Sequence, residues 1–271
     1  MNTDLFFIES KDEGKSWSQP RIIKPPIAGP FEICSPIFET SDGEWLLPTS
    51  IWKDWEGNAP LGTQTIVLRS EDEGKTWDSW NPIMDGSNKG INFWEVKLIR
   101  LKEKRILAVC WTHDEKAGKD LPIHYALSED EGRTFHEPLS TGLIGQTCLP
   151  IRVNDEEVLC IYRRMDRRGL WAQKASIKNN QWENQEDFLL WAGDTHGEGA
   201  KTSRIATEAM SALRFGLPTA IRLASGEILA AFWCVEDCVS TIRFFRIGIS
   251  ASASKSMIGS SDQPRNGKDG I

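Results

Sequence analysis

The sequence predicts an all-β chain assembled from repeated four-stranded antiparallel sheets. Three observations predict it. An eight-residue acidic turn occurs three times, a strand–turn–strand unit occurs four times around those turns, and the chain is rich in large rings suited to packing between sheets.

The acidic turn reads Ser-Lys-Asp-Glu-Gly-Lys-Ser-Trp at 10–17, Ser-Glu-Asp-Glu-Gly-Lys-Thr-Trp at 70–77 and Ser-Glu-Asp-Glu-Gly-Arg-Thr-Phe at 128–135, with offsets of 60 and 58 residues. Each copy follows an apolar run of strand type: Leu5 to Ile8, Thr65 to Leu68, and Ile123 to Leu127. A β-hairpin explains the pattern. Asp12, Asp72 and Asp130 are placed to accept hydrogen bonds from the turn's own N–H groups, and Gly14, Gly74 and Gly132 to take φ > 0 without a Cβ clash. Trp17, Trp77 and Phe135 are expected to anchor each turn in the apolar layer beneath it. Calcium is the other reading of an acidic turn, but these loops lack the further oxygen ligands that an EF-hand-like site needs, so no metal is expected.

The second unit runs from Pro36 to Leu47 around Asp42-Gly43, from Lys97 to Ala108 around Glu103-Lys104, from Leu149 to Leu159 around Asn154-Asp155, and from Pro218 to Leu229 around Ser225-Gly226. Turn residues between β-rich apolar runs signal hairpins. Joined to the acidic turns, they give sheets repeating every ~55–65 residues, the period of a β-propeller blade. The blades predicted are 5–25 (two outer strands only), 31–83, 91–140, 145–192 and 215–250 (three strands). One helix is expected over 203–214, as a connector opening on Ser203. The propeller is expected to span 1–250, followed by a disordered Ser-, Gly- and Lys-rich tail over 251–271.

Composition narrows the function. With 39% hydrophobic and 26% charged residues and a mean hydropathy of -0.39, the chain reads as an ordinary folded protein. Twelve Trp and eleven Phe against two Tyr suit inter-sheet packing or a sugar-binding cleft. A net charge of -7 and a pI near 5.3 provide no basic field for nucleic acid or an anionic membrane surface. Cys34, Cys110, Cys148, Cys160, Cys234 and Cys238 form no C-x-x-C pair and are read as buried thiols, with a Cys234–Cys238 bridge as the alternative in an oxidising compartment. No apolar run reaches the ~18 residues of a membrane span, and the N-terminus has no signal-peptide pattern, so a soluble, cytoplasmic chain without cofactors is expected.

These turns on the outer hairpins of four-stranded blades resemble the Asp boxes of the sialidase (neuraminidase) superfamily, whose members are six-bladed propellers. The resemblance runs from about residue 5 to 250, represents about five blades, and leaves only echoes of the box at Asn179 to Trp182 and Ser250 to Ser254. It implies an N-terminal blade without its inner strands, as in a chain truncated there, or else a smaller ring or one completed by another chain. It also sorts the residues, because in such a ring the ligand face lies opposite the boxes. That face is expected to receive Phe31 to Cys34, Asn92 to Glu95, Gly145 to Thr147 and Phe215, with the loops 51–60, 111–120, 163–169 and 234–238.

Rings beside convergent charges suit a sugar acid. Glycoside cleavage uses two carboxyl groups across the bond, and Glu32, Glu95, Asp114 and Glu236 are the acids this face offers. Glu95, between Trp94 and Val96, is best placed for partial burial to raise its pKa. His113 beside Asp114 forms a candidate acid/base pair. Sialidases use three arginines, a Tyr–Glu nucleophile and an Asp acid. Arg163 or Arg164 matches a later arginine and Tyr162 is the one tyrosine near the face, while only nine residues precede the first box, where the Arg-Ile-Pro motif belongs. Trp52, Trp94, Gln146 and Glu236 complete the expected substrate contacts. Three readings follow: a glycosidase acting on a terminal acidic or deoxy sugar, a glycan- or protein-binding propeller without catalysis, and a uronate-sugar lyase with His113 or Tyr162 as base.

Overall fold

The computed structural model describes residues 4–54, 56–59, 62–193 and 213–249. They form five antiparallel sheets in chain order. The first is β1 (Leu5–Phe7) with β2 (Arg21–Ile23). In the second, β3 (Phe31–Glu32) and β4 (Phe38–Glu39) both pair with β5 (Trp45–Ile51), followed by β6 (Gln64–Ser70) and β7 (Ser79–Asp85). The third is β8 (Ile91–Lys102), β9 (Arg105–Asp114), β10 (Lys119–Ser128) and β11 (Leu139–Ser140); the fourth is β12 (Gly145–Arg152), β13 (Glu157–Arg164), β14 (Gly169–Lys178) and β15 (Gln181–Trp191). β16 (Phe215–Arg222), β17 (Ile228–Glu236) and β18 (Val239–Ile247) make the fifth. Sequential strands are neighbours throughout, as the hairpin units require. The helix expected over 203–214 lies, save its last two residues, outside the described residues, and so does the tail.

Each pair of successive sheets shares one apolar layer, which is how stacked blades bury both of their faces. Side chains alternate across a strand, so Leu46 and Val67 face the third sheet while Leu47, Ile66 and Leu68 face the first. Leu107 and Val109 face the fourth sheet, and Ile106, Ala108 and Cys110 the second. Between the fourth and fifth sheets lie Leu159, Ile161, Phe215, Ile228 and Phe232. Strands β5 and β6 are therefore apolar on both faces. At the two ends of the series Phe6, Ile22, Ile242 and Phe244 remain exposed, because no described sheet lies over them.

The three boxes are nearly superposable. In each, the Ser hydroxyl accepts from the Gly N–H at 2.8 Å, and the Asp carboxylate accepts from an N–H four residues on at 2.8–2.9 Å. Hydrogen bonds to the carboxylates, led by the Ser16 hydroxyl at Asp12 and the Thr76 N–H at Asp72, hold both carboxyls down at about 2. Glycine is not alone at φ > 0, since Glu13, Glu73 and Glu131 precede it at 60°, 58° and 60°.

One expected anchor fails. Trp77 is 2% exposed, and Phe135 packs between the second and third sheets, but Trp17 is 60% exposed. Each box ring enters the layer shared with the preceding sheet, and no described sheet precedes the first. Gly74 sits at φ 75° with an added Cβ only 2.9 Å from the Trp45 ring. Gly74→Ala is expected to cost about 1–3 kcal/mol of backbone strain, read as a lower midpoint in chemical denaturation. All six cysteines are free thiols, and Cys238 is exposed and Cys34 half-buried, against the expectation that they are buried.

Candidate functional site

The inner strands carry a device that local sequence reasoning missed. In β8, β12 and β16 the register slips by one residue, with Glu95, Thr147 and Leu217 at the slip in left-handed backbone at φ 52°, 49° and 45°. β-bulges of this kind re-aim a side chain out of the pleat. In the second sheet the same place is the break between β3 and β4, occupied by Cys34. No glycine marks these positions, so only the pairing of strands reveals them.

At the bulge of β8, Glu95 is brought to Glu32 at the end of β3. The functional atoms of Glu32, Cys34 and Glu95 lie within 4.8 Å of one another. The Glu95 N–H donates to Glu32 Oε2 at 3.4 Å, and Trp52 and Cys34 also hydrogen-bond the Glu32 carboxylate. Glu95 is 9% exposed, with Oε2 lacking a partner. Burial, then the neighbouring Glu32 charge, pushes its carboxyl up to about 7, while Arg163 and Lys97 oppose the rise. Burial also raises Glu32, and it lifts the Cys34 thiol to about 12. A protonated thiol and the buried Lys97 suit this group to holding a proton rather than a cation.

Beside the acids stands an aromatic wall. Trp52 and Trp94 stack at 5.2 Å and 13°, His113 stacks on Trp94 at 5.2 Å and 20°, and Trp111 meets Trp94 edge-on at 5.0 Å. A cavity of about 190 Å³ opens here, lined by Trp52, Lys53, Thr63, Asn92, Trp94, His113 and Glu115. It is smaller than the ~300 Å³ of a drug-sized pocket, and its apolar wall beside polar groups fits one sugar ring.

Asp120, expected only as the end of the loop 111–120 and given no role there, ties the wall to the next sheets. Its Oδ1 lies 2.9 Å from both His113 Nδ1 and Trp111 Nε1, and Gln146 Nε2 donates to its Oδ2. Gln146 Oε1 in turn accepts from Arg163 Nη2 at 2.7 Å and Nε at 3.0 Å, and Arg163 Nη1 donates to the Phe215 carbonyl at 3.1 Å. The signal was available: β9 and β10 pair His113 directly with Asp120, equidistant from the turn between them.

The family model described as the BNR repeat-like domain matches residues 1–228. The chain belongs to the BNR repeat-like domain family. No curated protein matches it. Among solved structures, a protein of unknown function from Dyadobacter fermentans aligns at 21% identity and TM-score 0.64, over 88% of this chain and 62% of that one. The intramolecular trans-sialidase of Ruminococcus gnavus aligns at 16% identity and TM-score 0.60, over 91% and 50%. The leech intramolecular trans-sialidase aligns at 13% and 0.57, over 90% and 36%. These likenesses show a shared fold, the sialidase-like β-propeller, and this BNR repeat-like chain spans less than two thirds of each structure.

The remaining expected residues lie elsewhere. Tyr162 is 1% exposed inside the layer between the third and fourth sheets, and burial drives its hydroxyl far above the usual tyrosine range, so it has neither the access nor the ionised form that a nucleophile or base needs. Arg164 is held by the carboxylates of Asp166 and Asp187, both at 2.7 Å, and lies over the Trp171 ring. Glu236 accepts from Trp191 Nε1 at 2.8 Å and pairs with Arg243, away from Glu32 and Glu95. Asp114 caps the turn of its own hairpin, accepting from the Ala117 N–H at 2.9 Å, and His113 pairs with Asp120 instead.

Proposed function

We propose that this BNR repeat-like protein is carbohydrate-active, a glycoside hydrolase acting at the end of a glycan, with Glu95 as general acid and Glu32 as its ionised partner. The observation that carries the reading is the carboxyl pair within 4.8 Å beside the stacked Trp52 and Trp94. Acids that close stand short of the ~6.5–9.5 Å that inverting enzymes keep for a water, on the side of retaining glycosidases. Glu95, protonated near neutrality, gives its proton to the glycosidic oxygen as that bond breaks. Glu32 forms an ester to the anomeric carbon, and a water that loses its proton to Glu95 hydrolyses the ester. Trp52 and Trp94 provide a flat apolar face for the sugar.

The acidic sugar expected from the resemblance meets a different set of cations. Arg164 is taken by two carboxylates, while Arg163, ordered by Gln146 and the Phe215 carbonyl, and Lys97 are the cations that act on Glu95. A second reading is favoured by Tyr162 and Arg164: with both outside the site, a propeller that binds glycans without cleaving them uses the same wall. Screening the chain, and a form extended at its N-terminus, against aryl glycosides, sialosides and uronate oligosaccharides decides between the two. Turnover with net retention supports the hydrolase, and binding without turnover in both forms overturns it. Trp52→Ala is expected to raise KM, or Kd, about 10-fold through loss of the stacking face, measured by kinetics or calorimetry.

A further inference from the structure

The five side chains that join β9, β10, β12 and β13, those of Trp111, His113, Asp120, Gln146 and Arg163, have only one self-consistent set of hydrogen-bond directions. A guanidinium has no acceptor, so Arg163 must donate to Gln146 and the oxygen of that amide must face it. The amide nitrogen then faces Asp120 and donates to Oδ2. Trp111 Nε1 has only a hydrogen to offer, so it donates to Oδ1 at 2.9 Å. Asp120 is thus an acceptor on both oxygens. His113 Nδ1, 2.9 Å from Oδ1, must carry a proton to satisfy it. In the neutral ring the lone pair is then on Nε2. That ring lines the cavity and is kept parallel to Trp94.

We propose that Asp120 is a positioning residue, ordered by Arg163 and Gln146, which fixes His113 in the Nδ1–H form so that Nε2 accepts a hydrogen bond from a hydroxyl of the bound sugar. The inference rests on the carbohydrate reading for its ligand, though not for its proton. A hydroxyl held this way becomes a better donor as charge develops at the neighbouring anomeric carbon, so the contact acts on kcat as well as on binding. Two of the links cross hairpins, His113 to Asp120 over β9 and β10 and Gln146 to Arg163 over β12 and β13, and the bond from Gln146 to Asp120 joins the two sheets.

The test uses the ¹⁵N-labelled full chain. Long-range ¹H–¹⁵N spectra resolve the rings of its four histidines, and His113→Gln assigns the signal. The neutral His113 ring is expected to be protonated on Nδ1, and in Asp120→Ala, which leaves Nδ1 without its acceptor, the Nε2–H form that a free imidazole favours is expected to gain. An Nε2–H ring in the parent chain, or no change in the variant, overturns the proposal. Should Asp120→Ala fail to fold, the parent spectrum alone decides. With a cleaved glycoside, Asp120→Ala and His113→Gln are each expected to lower kcat about 100-fold, and the double variant no further. Undiminished kcat in His113→Gln overturns the contact to the sugar. A chain that cleaves nothing counts against the hydrolase, while the tautomer is still read.

Discussion

Replacing Glu95 by Gln is expected to lower kcat on a cleaved glycoside about 1,000-fold and, at the same time, to make the protein more stable in mild alkali. Both effects have one cause. Burial and the Glu32 charge raise the carboxyl from 4.5 to about 7, so near neutrality it still holds the proton that a leaving sugar oxygen needs. The same raised pKa means that ionisation is resisted by the fold. The stability contributed by the protonated form is complete below 4.5, the unfolded value, and is lost as the pH rises through about 7. Glutamine cannot ionise and escapes that loss. Denaturant unfolding at pH 4 is therefore expected to show parent and variant alike, and at pH 8 to show the variant ahead by about 1–3 kcal/mol. Equal stability at pH 8 would remove the case for a raised carboxyl, and an active Glu95→Gln would end its role as the acid. The alkaline limb of the parent's pH–rate profile is expected to fall above about 7.

The largest loss of stability is expected from Trp77→Ala, about 3–5 kcal/mol, because a ring 2% exposed leaves a cavity between the first two sheets. Trp17→Ala, at the same position of the first box but 60% exposed, is expected to stay within about 0.5 kcal/mol. Trp77→Phe separates packing from polarity. The indole N–H of Trp77 is buried without a partner, so removing it while keeping a ring costs far less than alanine. Equal losses in Trp17→Ala and Trp77→Ala would show that the turn itself, rather than the layer between sheets, is what the ring supports.

Much of the fold was readable because its signals are local. The hydrogen bonds of an Asp box close within eight residues, and a hairpin's register is set by its turn, so boxes, hairpins and sheet order follow from short stretches of chain. Glu95, Trp94, Trp52 and Glu32 were readable as a group from the ends of those strands. Tyr162 was not. Its placement depends on parity along β13, where Tyr162 and Arg163 face opposite ways, and the slip in β12 opposite them shifts which residue meets the site.

By itself, then, the sequence determined the all-β repeat, the turns that punctuate it and the acids at the strand ends, since each is specified by neighbours in the chain. Tertiary structure decided the rest. Whether a box tryptophan is buried depends on a neighbouring sheet, and the bulge that turns Glu95 toward Glu32 arises where strands pair. The proton of His113 answers to Asp120, which Gln146 and Arg163 of the next sheet hold in place.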